Sequence, residues 1–247
     1  MPVLEVFGPP SQWPDEDLVA FSDQFDADLV LAAYRSGVFP MPLPQAYFPA
    51  RMAWWSPLKR GLIEPANFRA SRSLRQSAKH YRVTVNQAFD AVLDGCADPS
   101  RPGGWIDADI RSVYDELHRS GLVVSVETWT LGGDLAGGLY GVSLGGLFAG
   151  ESMFHDPDLG RDASKVALWR LITEWLQPLG SAGVIDVQWA TPHLTSLGAT
   201  TVSRAEYLAR LAAVIDQPRP AWPEPAPRGE SLLGPRLRSS DQPLTAW

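Results

Sequence analysis

The sequence contains little that would fix it in a membrane, an oxidising compartment or a metal site. Cys96 is the only cysteine, so no intrachain disulfide can form and we expect a reducing, cytoplasmic location. No run approaches the roughly 20 apolar residues that span a bilayer, and no membrane partner is expected. The first 17 residues hold prolines and acids, a pattern unlike a secretory signal. The four histidines form no i,i+4 pair, so no metal site is expected.

Motifs of several enzyme classes are also missing. The segment from Gly150 to Phe154 lacks the second glycine of a hydrolase nucleophile elbow, which makes Ser152 a poor nucleophile. The glycines between 137 and 146 open no helix, so neither a dinucleotide fingerprint nor a phosphate loop results. Residues 160–165 lack the glycines of a pyrophosphate-binding loop, and Asp162 would repel a phosphate. We therefore expect no CoA and no other cofactor.

Charge is distributed unevenly along the chain. The net charge is −7, yet residues 51–82 hold eight basic residues against the single acid Glu64. A local basic stretch matters more for phosphate contact than the charge of the whole chain. Taken alone, this stretch is also compatible with an ordinary solvated helix face.

The periodicity of apolar residues predicts helices separated by a central run of strands. Helices are expected at 26–36, 71–79, 86–96, 109–119 and 203–215, with a long amphipathic helix that starts at Asp162 or Ser164 and runs to Leu176. Strands are expected at 83–85, 122–130, 135–144, 147–154 and 184–189, the second to fourth joined by tight glycine turns as an antiparallel meander. Five prolines between 40 and 57 predict a mostly irregular segment there.

This order of elements predicts an α+β fold with an antiparallel or mixed sheet and flanking helices. By analogy, a meander followed by a helix and a strand is the layout of the N-acetyltransferase (GNAT) acyltransferases. We divide the chain into a smaller N-terminal α/β region rich in proline and aromatics (1–60), a catalytic domain (61–216) and a proline-rich tail (217–247). The tail is expected to be mobile or to lie over the surface.

Several short stretches together resemble the leucyl/phenylalanyl-tRNA–protein transferase family, and they occur in the order that this family has them. The resemblance covers roughly residues 29–211. The stretches are AAYRSGVFP (32–40), WWSP (54–57), SRSLR (71–75), GWI (104–106), SVE (125–127), GGLYGV (137–142), GESMF (150–154), ASKVAL (163–168), IDVQ (185–188) and HLTSLGA (193–199), with Tyr114 and the pair Leu117–His118 between the fourth and the fifth.

The resemblance implies an aminoacyltransferase that moves Leu, Phe or Met from aminoacyl-tRNA to the α-amine of proteins beginning with Arg or Lys. Such tagging directs the acceptor to degradation by the N-degron route. The donor is an activated ester and the acceptor amine has a reference pKa of about 7.7–8.0. Bringing the two substrates together can therefore supply much of the catalysis, and we expect a monomeric enzyme without a covalent intermediate.

The resemblance also implies roles for particular residues. Gln188 would orient the attacking amine, Asp186 would support it and stabilise the developing ammonium, and Glu151 would hold the α-amine of the donor. A spacing of two on a strand would put Gln188 and Asp186 on one face. The donor side chain would contact Leu139, Phe148, Met153 and Ile185.

The tRNA would contact a second set of residues. Trp105 and Tyr114 match positions that hold the terminal adenosine, where stacking on an aromatic ring is favourable. Met41 stands where the family has a tryptophan, and Trp55 or Tyr47 could supply the missing ring. The acceptor stem would meet the basic helix and the strand after it, through Arg72, Arg75, Lys79 and Arg82.

Two alternatives to this function stay open from the sequence. The first is an acyltransferase of the same fold that uses another acyl donor or another charged tRNA, which the change at Met41 favours. The second is a non-catalytic module that binds tRNA or N-degrons, which loss of Gln188 or Asp186 would have favoured. Both residues are present.

Overall fold

The structure, a computed structural model, describes residues 6–43, 52–99, 104–176 and 183–224. Its strands are β1 (Leu18–Ser22), β2 (Phe39–Pro40), β3 (Met52–Trp55), β4 (Lys59–Ile63), β5 (Tyr81–Val85), β6 (Val123–Thr130), β7 (Leu135–Leu144), β8 (Leu147–His155), β9 (Val184–Asp186) and β10 (Ala199–Ser203). A small antiparallel sheet has the order β1-β3-β2, and a seven-stranded sheet has the order β10-β4-β9-β8-β7-β6-β5. The larger sheet is mixed, because β8 and β9 are parallel while its other pairs are antiparallel.

Seven α-helices accompany these strands in the described ranges. They are α1 (Ala27–Arg35), α2 (Arg72–Ser77), α3 (Phe89–Ala97), α4 (Ala108–Arg119), α5 (Ala163–Arg170), α6 (Pro192–Ser196) and α7 (Arg204–Val214). A π-helical segment, Leu171–Leu176, continues α5. Short polar side chains cap several N-termini; Asp26, for example, accepts a 2.8 Å hydrogen bond from Leu29 N at the start of α1. No helix in this part of the chain is both long and apolar enough to cross a membrane.

Helices cover both faces of the larger sheet, and the alternation of side chains along its strands explains why. On β7, Leu139 belongs to the core beneath α5, whereas its neighbour Tyr140 belongs to the core beneath α3 and α4. The same division separates Val123 from Val124 on β6. Each face therefore buries its own apolar layer, and the sheet lies between the two.

The predicted α+β fold with a mixed sheet and flanking helices is confirmed, as are the antiparallel meander and the predicted helices other than the long one. Residues 38–57, predicted to be mostly irregular, hold the short strands β2 and β3, which pair with each other. Two expectations are wrong. The strand expected at 184–189 ends at Asp186. The helix α5 is not amphipathic, because every residue except Lys165 is buried, as expected for a helix enclosed on all sides. Strands β1, β4 and β10 and helix α6 were not predicted.

Candidate active site

A mostly apolar cavity of about 260 Å³ lies beside the parallel pair β8–β9. Its volume is near the lower end of the roughly 300–1,000 Å³ typical of small-ligand pockets. Residues of β2, β7, β8, β9, α5 and α6, of the segments that follow β2 and β9, and of the segment before α4 form its wall. They are Phe39, Pro40, Met41, Trp105, Leu139, Tyr140, Phe148, Gly150, Glu151, Ser152, Met153, Leu168, Ile185, Val187, Gln188, Trp189, Thr191 and Leu194.

The cavity exists because β8 and β9 separate after a short parallel pairing. Their last pair is Ala149 with Asp186, after which β8 continues while β9 ends. The chain beyond β9 follows β4 instead, since Gly61 N donates to Gln188 O at 2.8 Å and Val187 N donates to Gly61 O at 3.0 Å. This divergence leaves the space that the cavity occupies.

Asp186 is fully buried, and its carboxylate accepts four hydrogen bonds. Arg60 donates through Nε to Oδ1 at 2.8 Å and through NH2 to Oδ2 at 2.5 Å. The Tyr207 hydroxyl donates to Oδ2 at 2.8 Å, and the backbone N of Gln188 donates to Oδ1 at 2.9 Å. Asp186 does not line the cavity. Both of its oxygens are paired with groups of the protein, and its predicted role toward the reacting ammonium stays a prediction.

The guanidinium of Arg60 is as enclosed as the carboxylate it binds. It lies 4.7 Å from the ring centre of Phe39 and 4.3 Å from that of Tyr207, and NH1 donates to Gly37 O at 3.2 Å. Burial lowers the pKa of Arg60, but the Asp186 carboxylate more than offsets this and the net direction is upward. Arg60 is consequently always charged, and it does not belong to the exposed basic surface suggested by its place in residues 51–82.

Gln188 lies at the edge of the cavity in a left-handed backbone conformation, with φ at +57°. Because β9 ends at Asp186, the expectation that Gln188 and Asp186 share a strand face is wrong. The two residues are connected instead by the hydrogen bond from the backbone N of Gln188 to the Asp186 carboxylate. Its side-chain Nε2 is buried without a hydrogen-bond partner in the described ranges. A buried unpaired donor is unfavourable, and a hydrogen bond to a substrate oxygen can remove that cost.

Glu151 owes its position to a β-bulge. Opposite β7, Tyr140 pairs with Ser152 while Gly141 pairs with Gly150, so Glu151 is the extra residue on β8. A bulge re-aims the side chain that it carries, and here the residue lines the cavity. The result is one carboxyl group in a mostly apolar wall.

Two tyrosine hydroxyls hold the Glu151 carboxyl group. Tyr34 donates to Oε1, and Tyr114 donates to Oε2 at 2.7 Å. Burial raises the pKa of Glu151, the two hydroxyls lower it in part, and the net value is about 7. Burial and the nearby Glu151 carboxylate raise the pKa of both tyrosines well above the ordinary value, so they are neutral donors. Glu151 is thus a carboxyl group that changes its charge near neutral pH.

The structure brings the four residues predicted to contact the donor side chain together in the cavity wall. Leu139, Phe148 and Ile185 are at most 5% exposed, and Met153 is half-buried. Leu168 of α5 completes this apolar part of the wall, and sequence reasoning missed it. The sequence indicates only that Leu168 is an apolar residue of a buried helix.

The residues predicted to hold the terminal adenosine separate into two groups. Trp105 and Met41 both line the cavity and are half-buried. Tyr114 is fully buried and does not line it, so stacking of a base on this ring is not met in the structure; its hydroxyl serves Glu151 instead. Trp55 lies behind the wall without lining it.

Trp189 is an aromatic residue of the cavity that sequence reasoning missed. Its ring packs edge-on against Phe39 at 5.0 Å and against Trp55 at 5.7 Å, and its Nε1 donates to Asp17 at 2.9 Å. It therefore provides a fixed aromatic surface in the wall that Met41 also lines. Tyr47, the other suggested substitute, lies outside the described residues.

The predicted phosphate contacts do not lie in the cavity wall. Arg72 and Arg75 on α2 and Lys79 just after it are exposed, whereas Arg82 on β5 is half-buried. The Arg75 guanidinium lies 5.5 Å from the ring centre of Trp169. Three cations thus occupy one short stretch of surface, and none of them belongs to the cavity.

Comparison with known proteins identifies the family of this chain. The family model described as leucyl/phenylalanyl-tRNA protein transferase matches residues 62–212, and the model of its N-terminal domain matches residues 23–58. A leucyl/phenylalanyl-tRNA–protein transferase of Anaeromyxobacter dehalogenans (strain 2CP-C) is 44% identical over 88% of this chain and 91% of its own. One from Maricaulis maris (strain MCS10) is 46% identical over 77% of this chain and 87% of its own. Among solved structures, L-PGS from Bacillus licheniformis has a TM-score of 0.35 at 10% identity, covering 70% of this chain and 56% of that one, which is too weak to carry an argument.

The cavity joins a carboxyl group and an unpaired amide donor to an apolar wall, an arrangement that can hold a small ligand with an apolar group. The length of the matched segments and their sequence identity decide to which class of enzyme this chain belongs. The chain belongs to the leucyl/phenylalanyl-tRNA–protein transferase family, and it is an aminoacyltransferase that moves an amino acid from tRNA to a protein. The family resemblance inferred from the sequence is confirmed.

Proposed function

We propose that this enzyme transfers Leu, Phe or Met from aminoacyl-tRNA to the α-amine of proteins that begin with Arg or Lys. The observation that carries the proposal is the cavity, which joins an apolar wall to a carboxyl group, Glu151, and a free amide donor, Gln188 Nε2. An aminoacyl ester with an apolar side chain presents three matching features: the side chain, an α-amine and a carbonyl oxygen. The transfer would mark the acceptor protein for degradation by the N-degron route.

The donor side chain is proposed to enter the wall formed by Leu139, Phe148, Met153 and Ile185. Met153 is unbranched and half-buried, so it can adapt its shape to Leu, Phe or Met. Glu151 in its ionised form would accept a hydrogen bond from the α-amine of the donor. The tyrosine hydroxyls that hold its carboxylate would keep it in place for that contact.

The reaction is a direct attack of the neutral acceptor amine on the ester carbonyl carbon. A carbon–nitrogen bond forms, the bond to the ribose oxygen breaks, and the amine proton passes to that leaving oxygen. Gln188 would orient the amine through its side-chain oxygen, and its unpaired Nε2 could donate to the developing oxyanion. Asp186 and Arg60 would act as positioning residues, because they hold the backbone of Gln188 from outside the cavity.

The tRNA is proposed to approach the cavity at Trp105 and Met41. Trp105 would stack on the terminal adenine, and Trp189 could supply the second aromatic surface that Met41 lacks. Arg72, Arg75 and Lys79, with Arg82 beside them, would contact phosphates of the acceptor stem. Their distance from the chemistry would make them determinants of affinity and salt dependence.

The domain boundaries, the oligomeric state and the cellular location are part of the same proposal. We propose an acyltransferase domain of N-acetyltransferase type at 61–216, an N-terminal region at 1–60 and a proline-rich tail at 217–247. A monomer in the cytoplasm would suit an enzyme whose partners are charged tRNA and proteins. Size-exclusion chromatography with light scattering tests the monomer, and limited proteolysis tests the two boundaries.

The proposed function is tested by transfer of radiolabelled Phe or Leu from charged tRNA to a peptide beginning with Arg. The same peptide beginning with Ala is the acceptor control. Label on the Arg peptide alone supports the proposal. Binding of charged tRNA without transfer would favour a non-catalytic binding module, and transfer only from another charged tRNA would favour the changed-donor enzyme.

A further inference from the structure

The chain continues past α7 and past the last residue of the matched family model, and part of this continuation is packed. We define residues 217–224 as the C-terminal strap. Arg219 NH1 donates to Gly121 O at 2.7 Å, and Asn86 Nδ2 donates to Pro223 O at 2.6 Å. Asn86 is itself buried, and its Oδ1 accepts from Ser125 N at 3.0 Å. The strap is thus attached at two separate places, one of them a buried side chain of the sheet.

Trp222 is the residue through which the strap reaches the core. Its Nε1 donates to the buried Ser143 Oγ at 2.8 Å. Its ring stacks on Trp175 at 5.7 Å with an interplanar angle of 29°, and lies 6.1 Å from the ring of Phe148 at 54°. Both separations are within the range of favourable aromatic pairs. The indole is therefore fixed at its polar end and on its faces.

Phe148 connects this packing to the cavity. Its ring is 1% exposed and lines the cavity wall, while Trp222 lies outside that wall. On another side the ring lies directly over Gly141, where an added Cβ would be 2.6 Å from Phe148 Cζ. The Phe148 ring thus has Gly141, Trp222 and the cavity among its neighbours, so a retreat of the ring toward Trp222 would have to displace the indole.

We propose that Trp222 is a specificity-determining residue for the donor amino acid, because it sets the depth of the pocket through Phe148. The inference rests on the proposed role of Phe148 in holding the donor side chain. With Trp222 in place, the ring of Phe148 stays forward and the cavity keeps its volume. Without the indole, Phe148 can retreat into the vacated space and the pocket accepts a larger side chain more readily.

The test compares kcat/KM for Phe-tRNA and Leu-tRNA in the full-length wild type and in Trp222→Ala. The ratio of Phe to Leu is expected to rise on the order of 10-fold, the scale of one methylene group in an apolar pocket. Trp222→Phe keeps a ring against Phe148 and is expected to return the ratio toward wild type. A purely structural role would lower the activity with both donors equally.

Trp13→Ala is the matched control for loss of a packed indole. Trp13 is also half-buried, and its Nε1 donates to Phe7 O at 2.8 Å, but it does not line the cavity. Trp13→Ala should lower the stability of the protein and leave the Phe-to-Leu ratio of kcat/KM unchanged. An unchanged ratio in Trp222→Ala, with wild type active on both donors, overturns this inference alone. A wild type that transfers neither amino acid overturns the proposed function instead.

Discussion

Arg60 and Asp186 form a bidentate ion pair in which both side chains are completely buried. Removing one member of such a pair leaves an uncompensated charge in the protein interior. Removing both leaves none, and replacement by apolar residues is often neutral. The pair also supports the backbone of Gln188 at the cavity edge, so it links stability to the geometry of the site.

The ion pair predicts strongly non-additive effects on stability. Arg60→Met and Asp186→Leu should each lower the free energy of unfolding by about 3–5 kcal/mol. The double variant should lose much less than the sum of the two single losses, because it leaves no uncompensated buried charge. Urea unfolding of the four proteins measures this. The double variant should still transfer slowly, because Gln188 N has lost its acceptor; additive losses would contradict the account.

Gly61 is predicted to be required for the geometry of the segment after β9. A Cβ at this position would lie 2.7 Å from Ala190 N and 3.0 Å from the Trp189 carbonyl carbon, which are backbone atoms that cannot turn aside. Gly61→Ala should therefore displace Gln188 and lower kcat by at least 10-fold, measured at saturating donor and acceptor. In Gly132→Ala the added Cβ meets only ordinary contacts at 3.5 Å, and activity should be kept. Equal activity in both variants would refute the prediction.

Glu151 is predicted to control the acidic side of the pH profile. Its pKa of about 7 means that the ionised form, which we propose binds the donor amine, increases as pH rises through neutrality. Tyr34→Phe removes a hydroxyl that lowers this pKa, so the rising limb of kcat/KM for the donor should move to higher pH. The acceptor amine titrates alike in every variant and cancels in the comparison.

The control for the pH experiment is Tyr81→Phe. The Tyr81 hydroxyl donates to backbone oxygens of Leu159 and Arg161, away from the cavity wall. Its removal should leave the position of the limb unchanged. In Tyr34→Phe, the rising limb of the kcat/KM profile could instead stay in place or move to lower pH. Either result would show that Glu151 does not act in its ionised form.

The exposed cations near α2 are predicted to govern the salt dependence of tRNA binding. Each phosphate contact contributes roughly 0.7–0.9 to the slope of log K against log salt concentration. Arg72→Ala, Arg75→Ala and Lys79→Ala should each reduce this slope by up to that amount, as measured by filter binding. Arg119→Ala, an exposed cation on α4, serves as the control. The prediction fails if the slope is the same for all four variants.

The sequence predicts the parts of this molecule that depend on local pattern. Apolar alternation and glycine turns identify the meander β6–β8, and polar caps such as Ser71 mark the starts of helices. The cavity wall could be predicted from the family resemblance, which assigned Leu139, Phe148, Met153 and Ile185 to one pocket. The structure places all four in that wall.

What could not be predicted depends on contacts between distant segments. Arg60 is 126 residues from Asp186, and its position in a basic stretch suggests a surface role rather than a buried ion pair. The strand β9 ends at Asp186, shortly before the left-handed backbone of Gln188, and no alternation pattern indicates that conformation. The bulge at Glu151 is likewise a property of register between two strands. Tyr114 shows the same limit, since its sequence neighbours do not reveal that its ring is enclosed.

The most direct test of the account is a single-turnover measurement of Phe transfer by Gln188→Ala, with the affinity for Phe-tRNA determined in parallel. If Gln188 acts on the reacting groups, the rate should fall by about 10²–10³-fold, the usual loss of one oxyanion donor, while donor affinity changes little. A variant that transfers at the wild-type rate, or that loses only donor affinity, would contradict the central claim that Gln188 acts in the chemistry of this cavity.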